Sequence, residues 1–106
     1  MLTEKDYCDY ETCVALKELG YPLTSKEVRY EGNAVFVPGV LMYSAQKWLR
    51  EEKFLLIVVD RFLNGEYVFS IVDILNYSEE KNGTANSYEE ALLEGIKEAV
   101  KILKKK

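Results

Sequence analysis

Residues 54–76, "FLLIVVDRFLNGEYVFSIVDILN", decide the fold. Two runs rich in β-branched and aromatic residues flank Asn64-Gly65, the strongest short-range signal for a β-hairpin. A two-residue turn at Asn64-Gly65 pairs residues whose numbers sum to 129, so Phe69 faces Asp60, Ile71 faces Val58 and Asp73 faces Leu56. One face then carries Phe54, Leu56, Val58, Phe62, Tyr67, Phe69, Ile71 and Leu75. The other carries Leu55, Ile57, Val59, Leu63, Val68, Val72 and Ile74. Both faces are apolar, whereas an antiparallel sheet with one wet side alternates. The expectation is a hairpin covered on both sides, by helices or by another subunit.

Upstream, "SAQKWLREEK", residues 44–53, holds the sole tryptophan. Leu41, Ala45, Trp48 and Leu49 fall at helical spacing on one face, with Lys47, Arg50, Glu51 and Gln46 on the other. The pattern predicts a helix from about Leu41 to Glu52, with Trp48 in the core and its indole N–H satisfied at the edge. Before it, Val28 to Tyr30 and Ala34 to Val37 flank Gly32-Asn33, a short hairpin ended by Pro38-Gly39. The first helix reads from "CDYETCVALKELGYP". Asp9 is its N-cap, with a start near Thr3 as the alternative; Gly20 stops it, and Thr12, Cys13, Leu16 and Leu19 form its packing stripe.

Downstream, residues 77–87 read as a polar loop. Ser87 and Glu90 then form an S-x-x-E capping box that opens the last helix. Tyr88, Ala91, Leu92, Gly95, Ile96, Ala99 and Leu103 line its buried face. Ala91, Gly95 and Ala99 make a ridge of small residues, suited to a close approach to the sheet or to a second helix. The expected fold is therefore a single α+β domain over residues 1–106, in the order α-β-β-α-β-β-α, with helices packed on an antiparallel sheet.

Composition narrows the function. The 106 residues suit one domain, which buries roughly two thirds of its unfolded surface without metal or disulfide help. The net charge of −4 repels phosphate backbones, so no nucleic-acid partner is expected. Lys101, Lys104, Lys105 and Lys106 suit the dipole at a helix C-terminus. Early acids such as Glu4 and Asp6 argue against a secretory leader, and the run Phe54–Val59 is too short for a bilayer. A cytoplasmic location and no membrane partner are expected.

Chemistry has few footholds. The chain has no histidine, which excludes Ser-His-Asp and Cys-His arrangements. Nucleotide-binding glycine motifs are also lacking. On a continuous helix Cys8 and Cys13 diverge by about 140°, too far for a disulfide, and two cysteines alone do not complete a zinc site. They are expected to be reduced thiols, with at least Cys13 packed. Asp60 and Asp73 share a face in the expected register, but lie roughly 13 Å apart along the strand, too far for a carboxylate pair. Glu51-Glu52 and Glu79-Glu80 read as solvated charge. Six tyrosines, Tyr7, Tyr10, Tyr21, Tyr30, Tyr43 and Tyr67, suit the rim of a small core or an interaction surface. No catalytic, cofactor-binding or metal-binding residue is assigned, and no cofactor is expected.

The segments "YETCVALKELGYP", "AQKWLREEKF" and "SYEEALLEGIKEAVKIL", in that order, resemble a family of small uncharacterised proteins of bacteroidete genomes and their phages or prophages. That family shows "KxLKEKGF", "A-x-KWLRE" and "SYEEAxEAxI" helices. This chain has "MYSAQ" where relatives often begin the second helix with Pro-Thr. The resemblance implies a shared fold and no established activity. Residues 54–103 also resemble a HicB-like antitoxin core, without that family's proline-glycine loop or an added DNA-binding segment. The leading expectation is a non-enzymatic module that binds a protein partner, as a homodimer. Alternatives are an antitoxin-like inhibitor of a nucleic-acid-binding toxin, or a small ligand-binding protein or enzyme with a tyrosine-lined cleft.

Overall fold

A computed structural model describes residues 6–23, 27–31 and 35–105. The elements are α1 (Tyr10–Glu18), β1 (Val28–Glu31), β2 (Val35–Pro38), α2 (Met42–Glu52), β3 (Leu55–Arg61), β4 (Tyr67–Asp73), β5 (Ser78–Ala85) and α3 (Tyr88–Lys104). The class is α+β, as expected, with one strand more than the sequence suggested.

That strand is β5, in the stretch read as a polar loop. It pairs antiparallel with β4, giving the sheet order β3-β4-β5. β5 is an edge strand, and most of its side chains are exposed. A charged edge discourages strand-to-strand aggregation, and the same polarity hides the strand from hydrophobic patterning. On its inner side Lys81 reaches Glu98 of α3 at 3.6 Å. Gly83 lies beneath Phe69, whose ring would stand 2.6 Å from a Cβ at that position.

The register of the long hairpin also differs from expectation. Val59 faces Phe69, Ile57 faces Ile71 and Leu55 faces Asp73, a shift of one residue. The loop has three residues, Leu63-Asn64-Gly65, because Phe62 N–H donates to Glu66 C=O at 2.8 Å. Gly65 N–H donates back to Phe62 C=O, and Gly65 sits in the left-handed region at φ +88°. This is a tight turn closed by a glycine bulge, the next commonest solution for an Asn-Gly sequence. A one-residue slip reassigns every side chain on one strand relative to the other. The inner face is Leu55, Ile57, Val59, Phe69 and Ile71, and Leu56, Val58, Val68, Ser70 and Val72 point outward.

α3 covers the inner face along all three strands. Its buried side is Ala91, Leu92, Gly95, Ile96, Ala99 and Val100. The small ridge does what its spacing predicts: a Cβ on Gly95 would stand 2.7 Å from Ile57 Cγ2. Tyr88 is not in that face but exposed, edge-on to Tyr67 of the central strand at 6.3 Å between centroids. Ser87 Oγ accepts from Glu90 N–H, while the Glu90 carboxylate accepts from Asn86 N–H. The capping box is therefore present, with its return arm displaced by one residue.

α1 packs beside α3. Asp9 caps it by accepting from Thr12 N–H at 2.8 Å. At its other end Gly20, at φ +103°, closes a Schellman motif: Tyr21 N–H donates to Leu16 C=O and Gly20 N–H to Lys17 C=O. The helix begins at Tyr10; a start near Thr3 lies outside the described residues. β1 and β2 form the expected short hairpin, paired from Val28–Pro38 to Glu31–Val35, and its turn residues 32–34 also lie outside them.

Candidate functional site

Three places repay inspection: the outer sheet face, a cavity beside Trp48, and the cysteine pair.

Of the two covers expected for the hairpin, helices or another subunit, helices supply only the inner one. α2 packs on β3 and against α3, so among the described residues the helices gather on the inner side. Gln46 explains part of that placement. The bonding pattern of β3 with β4 leaves the Ile57 carbonyl on the free edge, and the Gln46 side-chain amide donates to it at 2.8 Å. α2 thus seals the sheet edge and leaves the outer face open. Leu56, Val58, Val68 and Val72 sit there only half-buried, beside one another. Phe62, Leu63 and Leu75, at the ends of the hairpin, are 55%, 108% and 68% exposed. β5 extends the same face with Glu79, Asn82 and Thr84, so its apolar half lies on β3 and β4.

The cavity has a volume of about 310 Å³. The α1 cap aims Tyr21 into it, and α2 supplies Ser44, Lys47, Trp48, Glu51 and Glu52. Trp48 is not enclosed in the core as its helical position suggested. It is half-buried, packing against the core on one side and lining the cavity on another. The fully buried stripe of α2 is Met42, Ala45 and Leu49. Tyr21 meets Trp48 edge-on, with centroids 5.4 Å apart and planes at 74°. The Tyr21 hydroxyl donates to Glu27 Oε2. Burial, reinforced by that carboxylate, pushes the phenol well above its ordinary range. Lys53 holds its ammonium 5.3 Å from the centre of the Trp48 ring.

Cys8 and Cys13 form no disulfide, and both are buried. The expected divergence fails because Cys8 precedes the Asp9 cap and is not on the helix. The Cys13 thiol donates to the Cys8 carbonyl at 3.6 Å, and its sulfur accepts from Val40 N–H at 3.4 Å. Contact with Cys13, then burial, raises the Cys8 thiol far above its usual range, which keeps it protonated and weakly nucleophilic.

Asp60 and Asp73 fall on opposite faces once the register is corrected. Asp60 is exposed, whereas Asp73 is buried and holds the β4–β5 turn. Its carboxylate accepts from Leu75 N–H, Asn76 N–H and the Asn76 side-chain amide. Among the described residues no group of three or more His, Cys, Asp or Glu is placed to hold a metal ion. Within the same residues no helix is long and apolar enough to cross a membrane.

No protein-family model, curated protein or solved structure matches this chain. The outer face was legible in part, since the hairpin is apolar on both sides. The cavity was not, because Tyr21 and Trp48 are separated by a hairpin and meet only through the fold.

Proposed function

We propose that this is a non-enzymatic protein-binding module that self-associates through the outer face of its sheet. The supporting observation is the open apolar half of that face, Leu56, Val58, Val68 and Val72, on strands whose inner sides are buried at Leu55, Ile57, Phe69 and Ile71. Contiguous exposed apolar surface marks interaction sites in soluble proteins. The asymmetry of the face favours a second copy of the chain as the occupant. A two-fold axis near Val58 and Val72 brings the apolar halves together and sends the two β5 strands, with Glu79, to opposite ends. Sheets stacked in this way pack about 10 Å apart with interleaved side chains.

The non-enzymatic part rests on chemistry. The chain has no histidine, its carboxylate pair is split between faces, and the Cys8 thiol is held protonated. The likeness to bacteroidete and phage proteins suggests a cytoplasmic, phage-associated setting without adding a mechanism.

Light scattering across a hundredfold concentration range tests the reading. A mass that doubles with concentration, and stays single in a Val58→Lys/Val72→Lys variant with an unchanged circular-dichroism spectrum, supports it. A single mass throughout removes the self-association.

A further inference from the structure

We propose that Asn64 is a site of spontaneous covalent modification, in which the Gly65 nitrogen displaces the side-chain amide and water opens the resulting ring to aspartyl and isoaspartyl products. The chain has two Asn-Gly pairs, Asn64-Gly65 and Asn82-Gly83. The fold opens the first to this chemistry and shields the second. The reaction needs only the chain and water. The Gly65 amide gives its proton to solvent, and its nitrogen attacks Asn64 Cγ. The bond from Cγ to Nδ2 breaks, and the amide leaves as ammonia with a proton from water. Water then cleaves one of the two ring C–N bonds. Cleavage at Cγ leaves aspartate, and cleavage at the main-chain carbonyl leaves isoaspartate, whose chain runs through Cβ.

Ring closure develops negative charge on Asn64 Oδ1. Glu66 N–H already donates to that oxygen at 3.0 Å, so a donor is in place where the charge forms. Leu63, Asn64 and Glu66 are exposed, which admits water, and Gly65 has no Cβ to obstruct the attack. Gly65 N–H donates to Phe62 C=O, a turn bond at the open end of the hairpin, where local opening is easiest. Asn82-Gly83 lies instead inside β5. Alternation from the bonded Phe62–Glu66 pair points Val68 and Ser70 at β3, and so points Phe69 and Ile71 at β5. Gly83 N–H is therefore committed to Phe69 C=O, and the Phe69 ring covers Gly83 from the inner side. Extended backbone, with ψ near about +135°, also has to bend before the ring can close. Reaction at Asn82 thus waits for β5 to leave the sheet. Conversion of Asn64 puts a carboxylate where Nδ2 now donates to Glu66 Oε1 at 3.3 Å, in the loop that carries Leu63 beside the outer face.

The full chain is incubated in warm, mildly alkaline buffer, folded in one sample and unfolded in urea in another. Proteolytic peptides are followed by mass spectrometry for the exchange of amide for carboxyl, and electron-transfer fragmentation separates aspartyl from isoaspartyl products. In the folded chain Asn64 is expected to convert at least about tenfold faster than Asn82, the ratio set by opening about one net hydrogen bond. In urea the two rates are expected to agree within about twofold, because each pair is then the same exposed dipeptide. Both products are expected at Asn64, since they share one ring. Equal rates at the two sites in the folded chain overturn the proposal, as does a difference that persists in urea. An unmodified Asn64 in the folded chain when the unfolded sample is half converted also overturns it. Aspartate without isoaspartate removes the ring from the route.

Discussion

Gly95 of α3 lies so close to β3 that an added Cβ would stand 2.7 Å from Ile57 Cγ2. The separation is fixed from both sides, since Ile57 and its neighbours Leu55, Ile71 and Ile96 are essentially inaccessible. Glycine within a helix normally costs about 0.8–1.0 kcal/mol relative to alanine. Here the close packing of helix on sheet outweighs that cost.

Gly95→Ala is therefore expected to destabilise by about 1–3 kcal/mol, despite the gain in helix propensity. In an Ile57→Ala background, which removes the colliding Cγ2, the same substitution is expected to become neutral or stabilising. Urea denaturation of the four proteins in this cycle gives the coupling. Equal effects of Gly95→Ala in both backgrounds would show that the contact does not set the spacing.

Asp73 is assigned to structure. Its buried carboxylate accepts two backbone N–H groups and the Asn76 amide at the turn into β5. Asp73→Ala strands those donors and is expected to cost about 2–4 kcal/mol, with Asp73→Asn costing less. Hydrogen exchange localises the effect: protection falls first at β5 and the β4–β5 turn. Uniform loss of protection across α1 and α2 instead would contradict the assignment.

Asp9 supplies a pH dependence whose sign follows from its partners. Burial acts to raise its pKa, but hydrogen bonds from Thr12 and the Lys97 ammonium, whose Nζ lies 3.0 Å from Oδ2, hold it below the usual value of 3.8. A carboxyl depressed in the folded state contributes stability that is complete above its unfolded pKa. That contribution fades as pH falls through the folded pKa. Asp9→Asn keeps a capping oxygen and loses only the partly exposed ion pair, so it is expected to cost less than about 1 kcal/mol at pH 7. Asp9→Ala also loses the cap and is expected to cost about 1 kcal/mol more. The stability gap between the parent and Asp9→Asn closes below about pH 4. Urea midpoints at pH 7 and pH 3 check this, and a gap that widens in acid refutes it.

Features whose signal is local were legible in the sequence. The Asp9 and Ser87 caps, the Gly20 stop, the small ridge on α3 and the long hairpin each follow from a few adjacent residues. What escaped depends on longer range or on degenerate signals. Asn-Gly is compatible with both a two-residue and a three-residue loop, and only the pairing of Phe62 with Glu66 distinguishes them. β5 carries almost no apolar side chains because it borders the sheet, so periodicity has nothing to detect. Cys8 meets Cys13 because the helix starts after the cap, which a helical-wheel argument from Cys8 overlooks. Trp48 sits at the boundary of its stripe, where helical spacing does not separate a core position from a cavity wall. The cavity itself needs Tyr21, which a tertiary contact alone brings to α2.

Self-association through the outer face is tested most directly by backbone amide chemical shifts followed on dilution. The account predicts concentration-dependent shifts at Leu56, Val58, Val68 and Val72, with α3 and the inner-face residues unchanged. Spectra that do not change with concentration, or shifts confined to the helical side, would contradict it.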